Sequence, residues 1–163
     1  MKTPRVYLDT SVVGGCHDPE YATWSRGLVE DCRAGRLRPV LSDLLAAELA
    51  RAPVAVRAVY ADLRTMAPLE VATGPEALSL LAAYEARAVL GPRYRADMLH
   101  IALATVAEAD VLVSWNFRHI VRLDKIRLFD AVSVEQGYRP VAIRSPREVT
   151  TYGRDPDDPA PDA

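Results

Sequence analysis

Apolar residues fall along this chain in two different patterns. Val6-Tyr7-Leu8, Arg38-Pro39-Val40-Leu41 and Val111-Leu112-Val113 are short, nearly unbroken apolar runs, each followed by polar residues: Asp9-Thr10-Ser11, Ser42-Asp43 and Ser114. Runs of this length fit strands buried on both faces and ending in polar turns. Leu69-Glu70-Val71, Ile126-Arg127-Leu128-Phe129 and Val141-Ala142-Ile143-Arg144 supply further strand candidates. Between them lie longer stretches rich in alanine and leucine, which favour helix. Asp18-Pro19 is the start signal for a helix to about Ala34, with Gly35 as its exit, and Ser42 is placed to cap a helix over Asp43 to Leu49. Pro53 interrupts that helix, and another runs from about Val54 to Met66. Thr73-Gly74-Pro75 introduces a helix through about Leu90, Gly91-Pro92 ends it, and Ala96 to Thr105 begins the next. A short helix is expected over Ala131 to Gln136. This alternation predicts a three-layer α/β/α fold around a central, mainly parallel sheet, with one domain over residues 1–150 and no internal repeat.

Composition changes this picture at one end. Half of the residues are hydrophobic and 26% are charged, so most of the chain can support a core. Residues 151–163 depart from this, because Asp155-Pro156-Asp157-Asp158-Pro159-Ala160-Pro161-Asp162-Ala163 has no apolar period, and a flexible, acidic, proline-rich tail is expected there. The formal net charge is −2, and the twenty basic residues are all arginine except Lys2 and Lys125. Net charge therefore gives no sign of nucleic-acid binding, although Arg87, Arg93 and Arg95, or Arg118, Arg122 and Arg127, form local groups suited either to solvent or to a phosphate backbone. Cys16 and Cys32 lack zinc-site spacing and fit free thiols in a reducing compartment. No apolar stretch reaches the length of a membrane span, and a cytoplasmic protein with no membrane partner is expected.

Three acids stand out by their position. Asp9 ends the first strand, where open α/β sheets place ligands, although an Asx turn or helix cap would use it equally well. Glu48 lies well inside a helix with Leu44 and Leu45 on its preceding turn, so it needs either a cation or an exposed helix edge. Asp97 is near a helix start, where capping competes with metal ligation. Clustered carboxylates raise one another's proton affinity unless a cation intervenes, and oxygen donors suit Mg2+ or Mn2+. Such an ion polarises a phosphodiester and activates water.

The segments Val6-Tyr7-Leu8-Asp9-Thr10-Ser11, Ser42 to Glu48, Ala96-Asp97-Met98-Leu99-His100-Ile101-Ala102 and Val111-Leu112-Val113-Ser114-Trp115-Asn116-Phe117 resemble, in order and spacing, the strand, helical and loop motifs of the PIN-domain family. Gly137 to Val149 resembles the end of one bacterial branch of it. The resemblance covers about residues 5–149 and is to VapC-like toxin ribonucleases. It implies RNA hydrolysis with Mg2+ or Mn2+ held by Asp9, Glu48 and Asp97 as catalytic and metal-binding acids, with an antitoxin protein and a second copy of the chain as partners. Asn116 stands where many active members carry a fourth carboxylate; asparagine adds no charge. A catalytically weakened scaffold binding RNA or protein is therefore the alternative. Thr10, Ser11, Ser114 and Asn116 are expected to support the site or to make local turn bonds. Arg118 and His119 are expected to contact phosphate. His100, three residues after Asp97, fits either packing or support of the site. Trp115 and Phe117 fit core packing or the stacking of a base. A different small phosphate-handling hydrolase is disfavoured by the lack of a P-loop or Rossmann glycine pattern.

Overall fold

A computed structural model describes residues 2–151; the expected tail over 151–163 lies outside the described residues apart from Thr151. The strands are β1 (Arg5–Leu8), β2 (Arg38–Ser42), β3 (Leu69–Val71), β4 (Val111–Val113) and β5 (Ala142–Arg144). They form one parallel sheet in the order β3-β2-β1-β4-β5. The helices are α1 (Thr10–Gly15), α2 (Ala22–Arg33), α3 (Asp43–Leu49), α4 (Val54–Leu63), α5 (Pro75–Ala86), α6 (Arg95–Val106), α7 (Leu123–Glu135) and α8 (Pro146–Val149), with a 3-10 turn over Pro92–Tyr94 before α6.

The apolar runs are continuous because both faces of the sheet are covered. Successive side chains of a strand point to opposite faces, so Tyr7, Val40, Leu112 and Ile143 join the core built with α5, α6 and α7. Val6, Leu8, Leu41 and Val113 join the core built with α1 to α4. This is the expected three-layer α/β/α arrangement.

Three local expectations are corrected. Ile126 to Phe129 is not a strand but part of α7. Phe129, Val132 and Ser133 are buried and Ile126 partly so, whereas Arg127 and Leu128 are exposed. That is helical spacing, which a four-residue apolar run cannot distinguish from a strand. Thr10 begins a helix rather than a simple turn. Asp18-Pro19 forms a turn, in which the Asp18 carboxylate accepts from Glu20 N–H at 2.9 Å, and the helix itself starts at Ala22. Ser42 caps α3 as expected, its hydroxyl accepting from Leu45 N–H at 3.1 Å.

The polar ends of the strands share the carboxyl edge of the sheet. Asp9 follows β1, which lies between β2 and β4, the position where strand order reverses and a crevice opens in parallel α/β sheets. Among the described residues no helix is long and apolar enough to cross a membrane.

Candidate functional site

Asp9 is 5% exposed and precedes the first residue of α1, yet its side chain makes no capping hydrogen bond. Its carboxylate is directed elsewhere. Oδ2 accepts from Ser11 Oγ at 2.7 Å and from Ser114 Oγ at 2.8 Å, and Oδ1 lies 3.5 Å from His100 Nε2. Ser11 Oγ also accepts from Trp115 N–H at 3.0 Å, so the loop after β4 is fastened to the start of α1 beside the acid.

Glu48 reaches the same region from α3. Its side chain is 35% exposed, and Oε1 accepts from Thr10 Oγ1 at 3.0 Å and from His100 Nε2 at 2.5 Å. Burial works to raise its proton affinity, but the hydrogen bond and charge of His100, together with Thr10, carry it below the ordinary value. His100 itself is 1% exposed, on the inward face of α6. Its Nδ1 is 2.7 Å from the Tyr7 hydroxyl, which donates to Ser42 Oγ at 2.9 Å. With the Tyr7 proton directed to Ser42, the imidazole donates through both nitrogens, to Tyr7 and to a carboxylate that can only accept. Burial favours the neutral ring; the hydrogen bond to Glu48 and the charges of Asp9, Glu48 and Asp97 outweigh it and raise the His100 proton affinity.

Asp97 is the third residue of α6 and does not cap it. Its Oδ2 accepts from Asn116 Nδ2 at 3.3 Å and lies 3.5 Å from His119 Nδ1. Burial and then the charge of Asp9 raise its proton affinity, and His119, His100 and Asn116 offset this in part. Asn116 Oδ1 accepts from the backbone N–H of Arg118 at 3.2 Å and of His119 at 3.0 Å, which holds the loop in a tight turn. The His119 ring stacks against Tyr94 at 3.8 Å between centroids. Trp115 is core: its indole N–H donates to Ser25 Oγ at 2.8 Å and its ring stacks on Tyr21 at 4.2 Å.

The three acids thus come from three elements to one edge of the sheet, and among the described residues no arginine or lysine forms an ion pair with any of them. Their ionic partners are His100 and His119. The donors are hard oxygens of the kind that suits Mg2+ or Mn2+. No set of three or more His, Cys, Asp or Glu side chains among the described residues is gathered closely enough to hold a metal ion. The neighbour that Asp9 and Glu48 share is instead the His100 imidazole. Of the two arginine groups, Arg87, Arg95 and Arg122 pair with Glu135, Glu85 and Asp124, and Arg93 lies over the Tyr94 ring. Arg118, on the loop after β4, is exposed, and its backbone N–H is bonded to Asn116. Both cysteines are buried and free, and burial pushes the Cys16 thiol up to about 11 and Cys32 to about 12. The contributions of Tyr7 and Ser42 were not foreseen. The available signal was the alternation of Tyr7 with Asp9 along β1, which gives a phenol within a buried run the same facing as the acid two residues later.

No protein-family model and no curated protein matches the chain. Among solved structures it is similar to a chain of VapBC2 from Rickettsia felis, described as bound to a DNA fragment from their promoter. The TM-score is 0.53 at 11% identity, over 86% of this chain and 98% of that one. At that identity the likeness is one of fold, distant but extending over most of the chain.

Proposed function

We propose that this protein is a ribonuclease of the PIN type, dependent on Mg2+ or Mn2+ and acting in the cytoplasm as the toxin of a toxin–antitoxin pair. The observation that carries the reading is the set of three carboxylates, Asp9, Glu48 and Asp97, at the carboxyl edge of the sheet, with no arginine or lysine ion pair to any of them among the described residues. The repulsion of Asp9 that helps to raise the Asp97 proton affinity is the cost that a cation would relieve. The fold likeness to a VapBC2 chain supports the pairing with an antitoxin; a second copy of the chain is the other proposed partner.

Asp9, Glu48 and Asp97 are the residues that would hold the ion, which when bound supplies a Lewis acid for the phosphoryl oxygens and lowers the proton affinity of water. The two serine hydroxyls on Oδ2 orient Asp9. Glu48 is the acid with room to move, since its side chain is a third exposed; it would turn from His100 to help hold the ion. Ser114 Oγ also accepts from Asn116 N–H at 2.9 Å and so ties the Asp9 carboxylate to the loop whose Asn116 touches Asp97. Arg118, exposed on that loop, contacts the phosphate backbone.

A second reading, a scaffold with weakened hydrolysis, is favoured by one observation: Asn116 adds no charge and commits its carbonyl to two backbone N–H groups. One experiment separates the two. Purified protein is incubated with mixed single-stranded and structured RNAs in Mg2+ or Mn2+, beside an EDTA control and an Asp9→Asn/Glu48→Gln/Asp97→Asn variant whose fold is verified by circular dichroism. Cleavage by the wild type alone, abolished by EDTA, is the expected outcome. RNA binding without any cleavage would transfer the assignment to the scaffold.

A further inference from the structure

The loop after β4 carries an aromatic side chain that the fold covers on one side only. Phe117 is 48% exposed, whereas its neighbour Trp115 is 8% exposed and locked into the core. The two rings meet edge to face at 6.1 Å between centroids and 62°. Phe117 is therefore supported from beneath by an indole that is itself stacked on Tyr21 and hydrogen-bonded to Ser25. Its backbone is equally constrained: Phe117 N–H donates to Trp115 O at 3.0 Å, and Asn116 holds the next two N–H groups. A half-exposed phenyl ring on a rigid loop costs hydration free energy in the unbound protein, and covering it with another apolar or aromatic face recovers that cost.

Position identifies what covers it. Phe117 follows Asn116, which touches Asp97, and precedes Arg118, whose exposed guanidinium suits a phosphate. An aromatic face next to a cation and beside phosphodiester chemistry is the combination that binds unpaired nucleotides: the base stacks and the backbone pairs with the arginine. Bases inside a duplex are already stacked on both faces and cannot cover a ring in this way.

We propose, on the basis of the ribonuclease reading, that Phe117 is a specificity-determining residue that stacks an unpaired nucleobase next to the scissile phosphate and so selects single-stranded over duplex RNA. Trp115 positions the ring and Arg118 holds the adjoining phosphate.

The test is fluorescence anisotropy with a short fluorescein-labelled single-stranded RNA of mixed sequence, the same strand with one abasic position placed at each site in turn, and a blunt duplex. Calcium replaces magnesium, and the RNA is verified intact on a gel. Phe117→Ala is expected to weaken binding of the single strand by roughly five- to a hundredfold, the range found for removing one stacking aromatic. Phe117→Tyr keeps the wild-type affinity, and duplex binding is the same in all three proteins. One abasic position weakens the wild type but not Phe117→Ala. The proposal is overturned if Phe117→Ala binds the single strand like the wild type, or if it loses single strand and duplex equally. Tight binding by an unaffected Phe117→Ala variant leaves the ribonuclease reading in place, whereas a wild type that binds neither RNA removes both.

Discussion

At the scale of single residues, the site is defined by what each polar atom is already doing. Asp9 has the position of a helix cap without the capping bond, so its oxygens remain available to two serines and an imidazole. Asn116 is the opposite case. Its carbonyl is committed to the turn, and its amide donates to Asp97 without adding charge. Asn116→Asp keeps the turn bonds but places a second carboxylate against Asp97, where burial and Asp9 already raise the proton affinity. This variant is expected to be less stable than the wild type without metal, through like-charge repulsion. It is expected to bind Mn2+ more tightly, on the order of tenfold, through the added hard ligand charge. Titration calorimetry with Mn2+ and melting curves with and without the ion measure both effects. Unchanged Mn2+ affinity would show that position 116 does not reach the ion.

At the scale of elements, α1 is the instructive case. Its sequence, Thr10 to Gly15, includes Gly14 and Gly15 and has poor intrinsic helix propensity. Tertiary contact decides it. A methyl group on Gly15 would stand 2.6 Å from Ser25 Oγ and 2.8 Å from Trp115 Nε1, the two atoms that bond α2 to the site loop. Glycine is required here by close approach. Gly15→Ala is expected to destabilise the protein by about 1–3 kcal/mol, the usual range for overpacking, and to change the tryptophan emission as the indole is displaced from Ser25. A melting temperature equal to that of the wild type would count against this tight packing. The same lesson explains α7. The short run Ile126 to Phe129 carried too few residues to reveal its period, and only the buried positions Phe129 and Val132 show which period applies.

At the scale of the whole molecule, one buried acid closes the chain on itself. Asp31 on α2 is 1% exposed and binds Arg36, Thr150 and both the hydroxyl and the N–H of Thr151, about 120 residues further on. Burial works to raise its proton affinity, and these hydrogen bonds and the guanidinium together carry it below the ordinary carboxylate value. A group depressed in the folded state contributes stability above its unfolded value of about 3.9, and loses it as pH falls through the lower folded value. Asp31→Asn is therefore expected to cost about 1–3 kcal/mol at neutral pH, because it leaves buried donors facing an amide. The gap in melting temperature from the wild type narrows once the pH drops below about 4. A gap independent of pH would mean that the charge is not what holds the C-terminal segment.

The apolar runs and their polar ends were enough to establish the parallel α/β architecture, because burial on two faces is written locally, and they singled out Asp9, Glu48 and Asp97 as candidates by their places at a strand end, inside a helix and near a helix start. Tertiary structure alone decided that His100, wired through Tyr7 to Ser42, lies between Asp9 and Glu48, that Asn116 serves the turn, and that Phe117 is exposed while Trp115 is buried. Each of these depends on which residues distant along the chain become neighbours, a property that short-range periodicity does not carry.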